Sequence, residues 1–331
     1  MPANLTQQYL KAEEEFRRAA TPDEQLNCLQ TMLRELPKHK GTDKLQAELK
    51  QRISKVRKEI QSESKSPSRK GQGVRIPRQG AGTVIFVGGP NSGKSQLLAR
   101  LTRATPEVAP YPFTTHNPVP GMMAWEDVMI QLVDTPPVTK DYFESYMHGL
   151  IRGADLVLFV VDLGDDDGIE QCQAVLDKLN STKTRLATTS YLDENDIGLS
   201  YTRTFLIANK YDVPGAEDRR QLLQELCSLE FREIIVSAET GDGLDTLRKA
   251  VFEELDIVRV YSKLPGQKEP DLERPFTVRR GATLLEVAEL VHKDFVNDFK
   301  FARVWGSQVH NGTMVKEDYI VQDRDIVELH Q

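Results

Sequence analysis

Cysteine is scarce in this sequence: 331 residues hold only Cys28, Cys172 and Cys227, far apart and with no CxxC pair. Neither a disulfide framework nor a cysteine zinc site is encoded. Long apolar runs are missing as well. Nothing approaches the roughly eighteen consecutive apolar residues of a membrane span, and the opening MPANLTQQYLKAEEEF is polar, unlike a secretion signal. With charged residues at 28% and a mean hydropathy of -0.45, the expected setting is a reducing cytoplasm, with no membrane partner. Histidine offers no metal cluster either, because His116, His148 and His310 have no partners at ligand spacing. The two tryptophans, Trp125 and Trp305, lie in predicted strands and read as core rather than as ligand platforms. Three consecutive acids, Asp165 to Asp167, read as solvated surface.

The net charge of -7 conceals an asymmetry. Residues 1 to 80 carry 17 Lys+Arg against 10 Asp+Glu, or +7, leaving 26 against 40, or -14, for the rest. Among Lys65, Arg69, Lys70, Arg75 and Arg78 there is no acidic residue. The basic end is the candidate polyanion contact. Leu5, Tyr9, Ala12 and Phe16 predict one amphipathic helix, Leu26, Leu29, Leu33 and Leu36 a second after Thr21-Pro22, and Leu45, Leu49, Ile53, Val56 and Ile60 a third. The charges on the third helix read equally as a solvated face or as an RNA contact. Residues 1–64 thus form a small basic helical domain, and 65–82, rich in Ser, Gly, Pro and basic residues, a linker.

The stretch TVIFVGGPNSGKSQLLA, Thr83 to Ala99, runs from β-formers through a glycine-rich turn into an amphipathic helix. Gly88, Gly93, Lys94 and Ser95 fit G-x-x-x-x-G-K-[ST] in the strand-to-helix context that its mechanism requires. In such a loop, backbone N–H groups surround phosphates, the lysine reaches the β- and γ-phosphates, and the serine is placed to ligate Mg²⁺. Gly88, Gly89, Pro90, Asn91, Ser92, Gly93, Lys94, Ser95 and Gln96 are therefore expected at the nucleotide. Residues 83–256 then alternate strands with helices, which implies a mainly parallel α/β sheet covered on both faces. The polar stretch Ser181 to Tyr201 reads as an edge insertion.

NKYD, Asn209 to Asp212, ends a predicted buried strand at the carboxyl edge of that sheet, where open α/β folds bind ligands. Asp212 can accept from guanine's ring N–H and exocyclic amine, a donor pair that adenine lacks, so a site built on it rejects adenine. Asn209 would brace the loops and the stem of Lys210 would cover the base. SAE, Ser237 to Glu239, follows the next strand, where the backbone N–H of Ala238 can meet the guanine carbonyl.

These three motifs in this order resemble the translation-factor-class GTPases, and further stretches narrow the likeness. YPFTT (Tyr111 to Thr115) with VPG (Val119 to Gly121) resembles the switch loop of the Obg and developmentally regulated GTP-binding (DRG) families. PKHKGTDKLQAELKQRISKVRKE resembles the helical segment ahead of the DRG GTPase domain, and residues from VRVYSKLPGQ onward are similar to the DRG C-terminal TGS domain. The resemblance implies a P-loop GTPase domain at 83–256 and a β-grasp TGS domain at 257–331. It also implies GTP and GDP as ligands, Mg²⁺, and association with ribosomes or RNA through the basic N-terminal region and the TGS domain, with a protein cofactor as a further partner.

By the same resemblance, Thr115 is the switch threonine that closes on Mg²⁺, with Thr114 the alternative, and Asp134 in LVDTPP holds Mg²⁺ through water. Asp134 reads also as a strand-end cap. Here the chain departs from the family pattern D-x-x-G, because Pro137 stands where the glycine belongs and has no N–H for the γ-phosphate. Val138 follows, where some GTPases place a water-orienting glutamine. Asn91 has two readings of equal weight: it holds K⁺ against the phosphates as an added catalytic charge beside Lys94 and Thr115, or it only tolerates an unusual backbone angle. The expected activity is slow GTP hydrolysis. The alternative is a guanine-nucleotide-regulated ribosome or RNA adaptor with vestigial hydrolysis.

Overall fold

The computed structural model describes residues 6–19, 22–37, 42–63, 76–102, 118–193, 196, 199–227, 229–267, 269–292 and 299–330. Residue 64, residues 65–75 of the expected linker and the switch stretch with Thr114 and Thr115 lie outside these residues.

Three helices open the chain: α1 (Gln7–Arg18), α2 (Pro22–Glu35) and α3 (Asp43–Glu63). The side chain of Thr6 caps α1 by accepting from the backbone N–H of Tyr9 at 3.1 Å. Apolar residues at three- and four-residue spacing then close a separate core of Tyr9, Phe16, Leu29, Met32, Leu49, Ile53 and Val56.

Eight strands form the central sheet: β1 (Thr83–Gly88), β2 (Val119–Trp125), β3 (Val128–Asp134), β4 (Leu156–Asp162), β5 (Thr184–Ala187), β6 (Tyr191–Leu192), β7 (Ser200–Asn209) and β8 (Arg232–Ile235). The order is β2-β3-β1-β4-β7-β5, with β6 and β8 also on β7. Only the β2–β3 and β6–β7 pairings are antiparallel. The continuous apolar run of β4, LVLFVVD, is buried along its whole length, as a strand covered on both faces must be. α4 (Lys94–Leu101) and α8 (Leu244–Glu254) supply residues to the core on one face. On the other, α5 (Met147–Gly153), α6 (Asp167–Asn180) and α7 (Ala216–Cys227) pack with Ile85, Val157 and Phe159. The insertion 181–201 supplies β5 and β6, and β7 begins within it at Ser200.

The final residues build a second sheet from β9 (Ile257–Ser262), β10 (Phe276–Arg279), β11 (Phe301–Gly306), β12 (Val309–Val315) and β13 (Asp325–His330), ordered β10-β9-β13-β11-β12. α9 (Leu284–Val291) starts on a Thr283–Glu286 capping box and covers one face. Trp305 corrects the sequence expectation. Ala302 and Val304 face the core, so strand alternation puts Phe301, Arg303 and Trp305 on the opposite side.

The tip of the β2–β3 hairpin reaches this second sheet. Arg259, 4% exposed, ion-pairs with Glu126, with Asp127 at 3.0 Å and with Asp323 at 2.7 Å, and lies 5.3 Å over the Phe252 ring. Tyr261 donates its hydroxyl to Asp127. No helix among the described residues is long and apolar enough to cross a membrane.

Candidate functional site

Register aligns the carboxyl ends of four parallel strands: Gly88 lies beside Val160, and Asp162 beside Asn209, while β3 ends at Asp134. The turn out of β1 and the turn out of β7 therefore open on one edge. The glycine-rich turn enters α4 through Gly93, whose φ of 93° lies in the left-handed region. A Cβ there would come within 2.2 Å of the Asn209 amide nitrogen, so this position accepts no side chain. Asn209 is fully buried and joins the two turns. It donates through Nδ2 to the Ser92 carbonyl (2.9 Å) and accepts through Oδ1 from the Ala238 N–H (3.1 Å). The Ala238 N–H is therefore engaged by Asn209.

Lys94 is buried inside the loop it follows, donating from Nζ to the carbonyls of Gly89 (2.7 Å) and Gly88 (3.2 Å) and to Ser92 Oγ (3.3 Å). Burial pulls its pKa down to about 8, against the opposing pull of Asp134. Asp134 is displaced the opposite way. Desolvation raises its carboxyl above the ordinary aspartate range, against the Ser95 hydrogen bond and the Lys94 charge. The Ser95 hydroxyl donates to Asp134 Oδ2 at 2.5 Å, while Asp134 Oδ1 is buried with no hydrogen-bond partner. A hydroxyl beside a carboxylate with one orphaned oxygen suits a hard cation that takes its remaining ligands from water and phosphate, as Mg²⁺ does. No cluster of three His, Cys, Asp or Glu exists among the described residues to form an all-protein cage.

Lys210 adopts a left-handed φ of 64°, and its ammonium meets Asp162 at 2.5 Å. Its stem passes Gly164, where a Cβ would lie 2.9 Å from it. Asp212 is exposed and has no side-chain partner among the described residues. Ser237 is buried and accepts from the Thr240 N–H, and Glu239 accepts from Gln96 Nε2 at 2.7 Å, which ties the first turn of α4 to the SAE loop. Asn91 is exposed with φ 55°, the unusual backbone angle of its bland reading. Val138 is 1% exposed within the core, and its N–H donates to the Gly88 carbonyl at 3.1 Å.

Three participants escaped the sequence reading. Asp162 fixes Lys210 and accepts from the Gly164 N–H (2.7 Å); its signal was an acid at the end of an otherwise apolar strand. Arg100 donates to the carbonyls of Ala238 (2.9 Å) and Glu239 from the last turn of α4. Thr135 donates to the Phe86 carbonyl at 2.6 Å and so docks the segment after Asp134 onto β1.

The family model described as 50S ribosome-binding GTPase matches residues 83–194, and the TGS domain model matches residues 258–331. An uncharacterised GTP-binding protein of Methanocaldococcus jannaschii is 31% identical, with 92% of each chain covered. Developmentally-regulated G-protein 1 of Arabidopsis thaliana is 28% identical, over 92% of this chain and 90% of its own. Ribosome-interacting GTPase 1 of Saccharomyces cerevisiae is 26% identical, over 93% of this chain and 98% of its own.

Proposed function

Because the chain belongs to the developmentally regulated (DRG-type) GTP-binding proteins, with a P-loop GTPase fold and a TGS domain, we propose that it is a cytoplasmic, Mg²⁺-dependent enzyme hydrolysing GTP to GDP and phosphate on ribosomes or RNA. The observation that carries the reading is the convergence of Lys94, Ser95 and the orphaned Asp134 oxygen at the sheet edge that also holds Asn209 and Asp212. The division into a basic helical domain (1–64), a linker (65–82), a GTPase domain (83–256) and a TGS domain (257–331) goes with it.

In this reading the backbone of Gly88 to Ser95 wraps the phosphates, and Lys94 exchanges its carbonyl acceptors for phosphate oxygens. Ser95, Thr115 and Asp134 would hold Mg²⁺, which when bound would supply positive charge against the phosphates. Asp212 reads the guanine donor pair, Lys210 is held over the base by Asp162, and Asn209 keeps the two turns at a fixed separation. Val138, buried and bonded to Gly88, orients no water. Turnover without a positioned glutamine or a donated arginine is then slow, about 10⁻⁴ to 10⁻³ s⁻¹ by analogy with an intrinsic small-GTPase rate, and K⁺ at Asn91 or a protein partner raises it. The names of the matched family model and of the yeast relative support ribosomes as the place of action.

A second reading is favoured by Pro137 and Val138: a guanine-nucleotide-regulated ribosome or RNA adaptor whose hydrolysis is vestigial. The deciding experiment measures GTP and ATP turnover in KCl and in NaCl at matched ionic strength, with nucleotide binding in parallel. GTP turnover that quickens in KCl, with ATP inert, is the expected result. Tight GTP binding with no turnover in either salt, alone or with ribosomes, overturns the enzyme in favour of the adaptor.

A further inference from the structure

The turn that carries Ser237, Ala238 and Glu239 spends nearly all of its backbone donors on itself and on Asn209. Of the five consecutive N–H groups from Ser237 to Gly241, four have acceptors inside the protein. Ser237 donates to the Asp242 carbonyl, Ala238 to Asn209 Oδ1, Thr240 to Ser237 Oγ and Gly241 to the Ser237 carbonyl. The Glu239 N–H alone has no acceptor among the described residues. It is the donor this turn leaves to a ligand.

The orientation of that donor is set from α4. Arg100 presents Nε and Nη2, one parallel donor edge of its guanidinium, to two successive carbonyls, that of Ala238 at 2.9 Å and that of Glu239. In a planar trans peptide the C=O and N–H point in opposite directions, so drawing the Ala238 carbonyl onto Arg100 aims the Glu239 N–H away from α4. A donor on the carbonyl also polarises the amide and strengthens the bond its N–H can make. One helical turn earlier, on the same face, Gln96 Nε2 donates to Glu239 Oε2 at 2.7 Å and holds the residue from its side chain. Arg100 is itself seated, because its carbonyl accepts from Arg248 Nη2 at 2.9 Å.

We propose that Arg100 is a positioning residue for guanine recognition, clamping the Ala238–Glu239 peptide so that the Glu239 N–H meets the guanine 6-carbonyl. The inference deepens the GTP reading above and rests on it. The Ala238 N–H, engaged by Asn209, leaves that carbonyl to its neighbour. Asp212 then reads the ring N–H and the exocyclic amine, and the clamped amide reads the acceptor at carbon 6. Adenine carries an amine there, which would set donor against donor. Because α4 begins at Lys94 and reaches Arg100 in its last turn, the helix that receives the phosphates also sets the turn that reads the base.

The test displaces a fluorescent mant-GDP from the full chain with GDP, 6-thio-GDP and inosine diphosphate, for the parent, Arg100→Gln and Arg100→Lys. Sulfur at position 6 is a weak acceptor but keeps the ring N–H and the amine; inosine keeps the carbonyl and lacks the amine. The parent should prefer GDP to 6-thio-GDP by about three- to tenfold, the range of one neutral hydrogen bond. Arg100→Gln should bring that preference close to one, while its preference for GDP over inosine diphosphate stays at the parent's value. Arg100→Lys, a point charge that cannot hold two carbonyls, should lower the same preference and carries the test if Arg100→Gln does not fold. A parent indifferent to the sulfur, a uniform loss of affinity for all three nucleotides, or preferences unchanged by both variants overturns the positioning role. A parent that binds GDP no better than ADP overturns the guanine reading itself.

Discussion

Replacing Arg259 by alanine is the sharpest probe of how the two sheets are held together. The guanidinium is 4% exposed and meets three carboxylates from two parts of the chain, Glu126 and Asp127 on the β2–β3 tip and Asp323 before β13. Removing one partner of a buried ion pair costs about 3–5 kcal/mol when the abandoned charge stays dry. Here the side chains of Glu126 and Asp323 are 48% and 33% exposed and can rehydrate, so the expected cost is lower, about 2–3 kcal/mol. The lost contact with the Phe252 face supplies about 0.5–1 kcal/mol of that. Glu126 adds a pH signature, because its hydrogen bond from Arg259 holds its carboxyl below the ordinary glutamate range. A depressed carboxylate stabilises the fold above its unfolded pKa and loses that effect as pH falls through the folded value. The parent's advantage over Arg259→Ala should therefore be full at neutral pH and fade on acidification. Urea unfolding of Arg259→Ala, Asp127→Asn and the double variant gives the coupling energy, expected at about 1–2 kcal/mol, and hydrogen exchange at Trp125 to Val128 should quicken in the single arginine variant. Coupling within about 0.5 kcal/mol of zero, with unchanged exchange at the hairpin, would refute the clasp.

Two further outcomes follow from the phosphate loop. Lys94 has a folded-state pKa of about 8, below its unfolded value, so between about 8 and 10.5 the unfolded chain binds more protons and stability rises with pH. Lys94→Met should lose that slope. Phosphate beside the ammonium restores its proton, so GTP affinity should fall as pH climbs above 8, with proton uptake on binding seen by calorimetry in two buffers; constant affinity from pH 7 to 9.5 would contradict the buried-lysine account. Gly93→Ala places a methyl 2.2 Å from Asn209 Nδ2 at a φ of +93°. Breaking the Asn209 bridge in this way should weaken GTP binding at least about tenfold, about 1.4 kcal/mol, while far-UV circular dichroism stays unchanged; near-parent affinity would show that the bridge is dispensable.

The site was legible because its chemistry is local. A loop that wraps phosphate needs glycine at Gly93 and a lysine one residue on, and the buried strands beside it are written as apolar runs; both signals fall within a few consecutive residues. The clasp is the opposite case. Arg259, Glu126 and Asp323 are each separated by scores of residues, and along the chain each reads as one more solvated charge. β10 and β12 are a related case, since edge strands owe their conformation to a partner strand rather than to their own pattern. Trp305 was misplaced because strand membership alone does not say which face a side chain takes; that needs the register of β11 against β12 and β13.

Asn91 and Val138 mark where the two kinds of information meet. The left-handed angle at Asn91 accounts for an asparagine without any ion, because its short side chain tolerates φ 55° where most residues are strained. The response of turnover to the monovalent cation is the measurement that decides between that reading and a K⁺ site. Val138 has no such ambiguity. Its side chain belongs to the core and its N–H to Gly88, so the segment after Asp134 is tied to the phosphate loop by backbone and packing at once. Any group that orients an attacking water has to reach the phosphates from another direction.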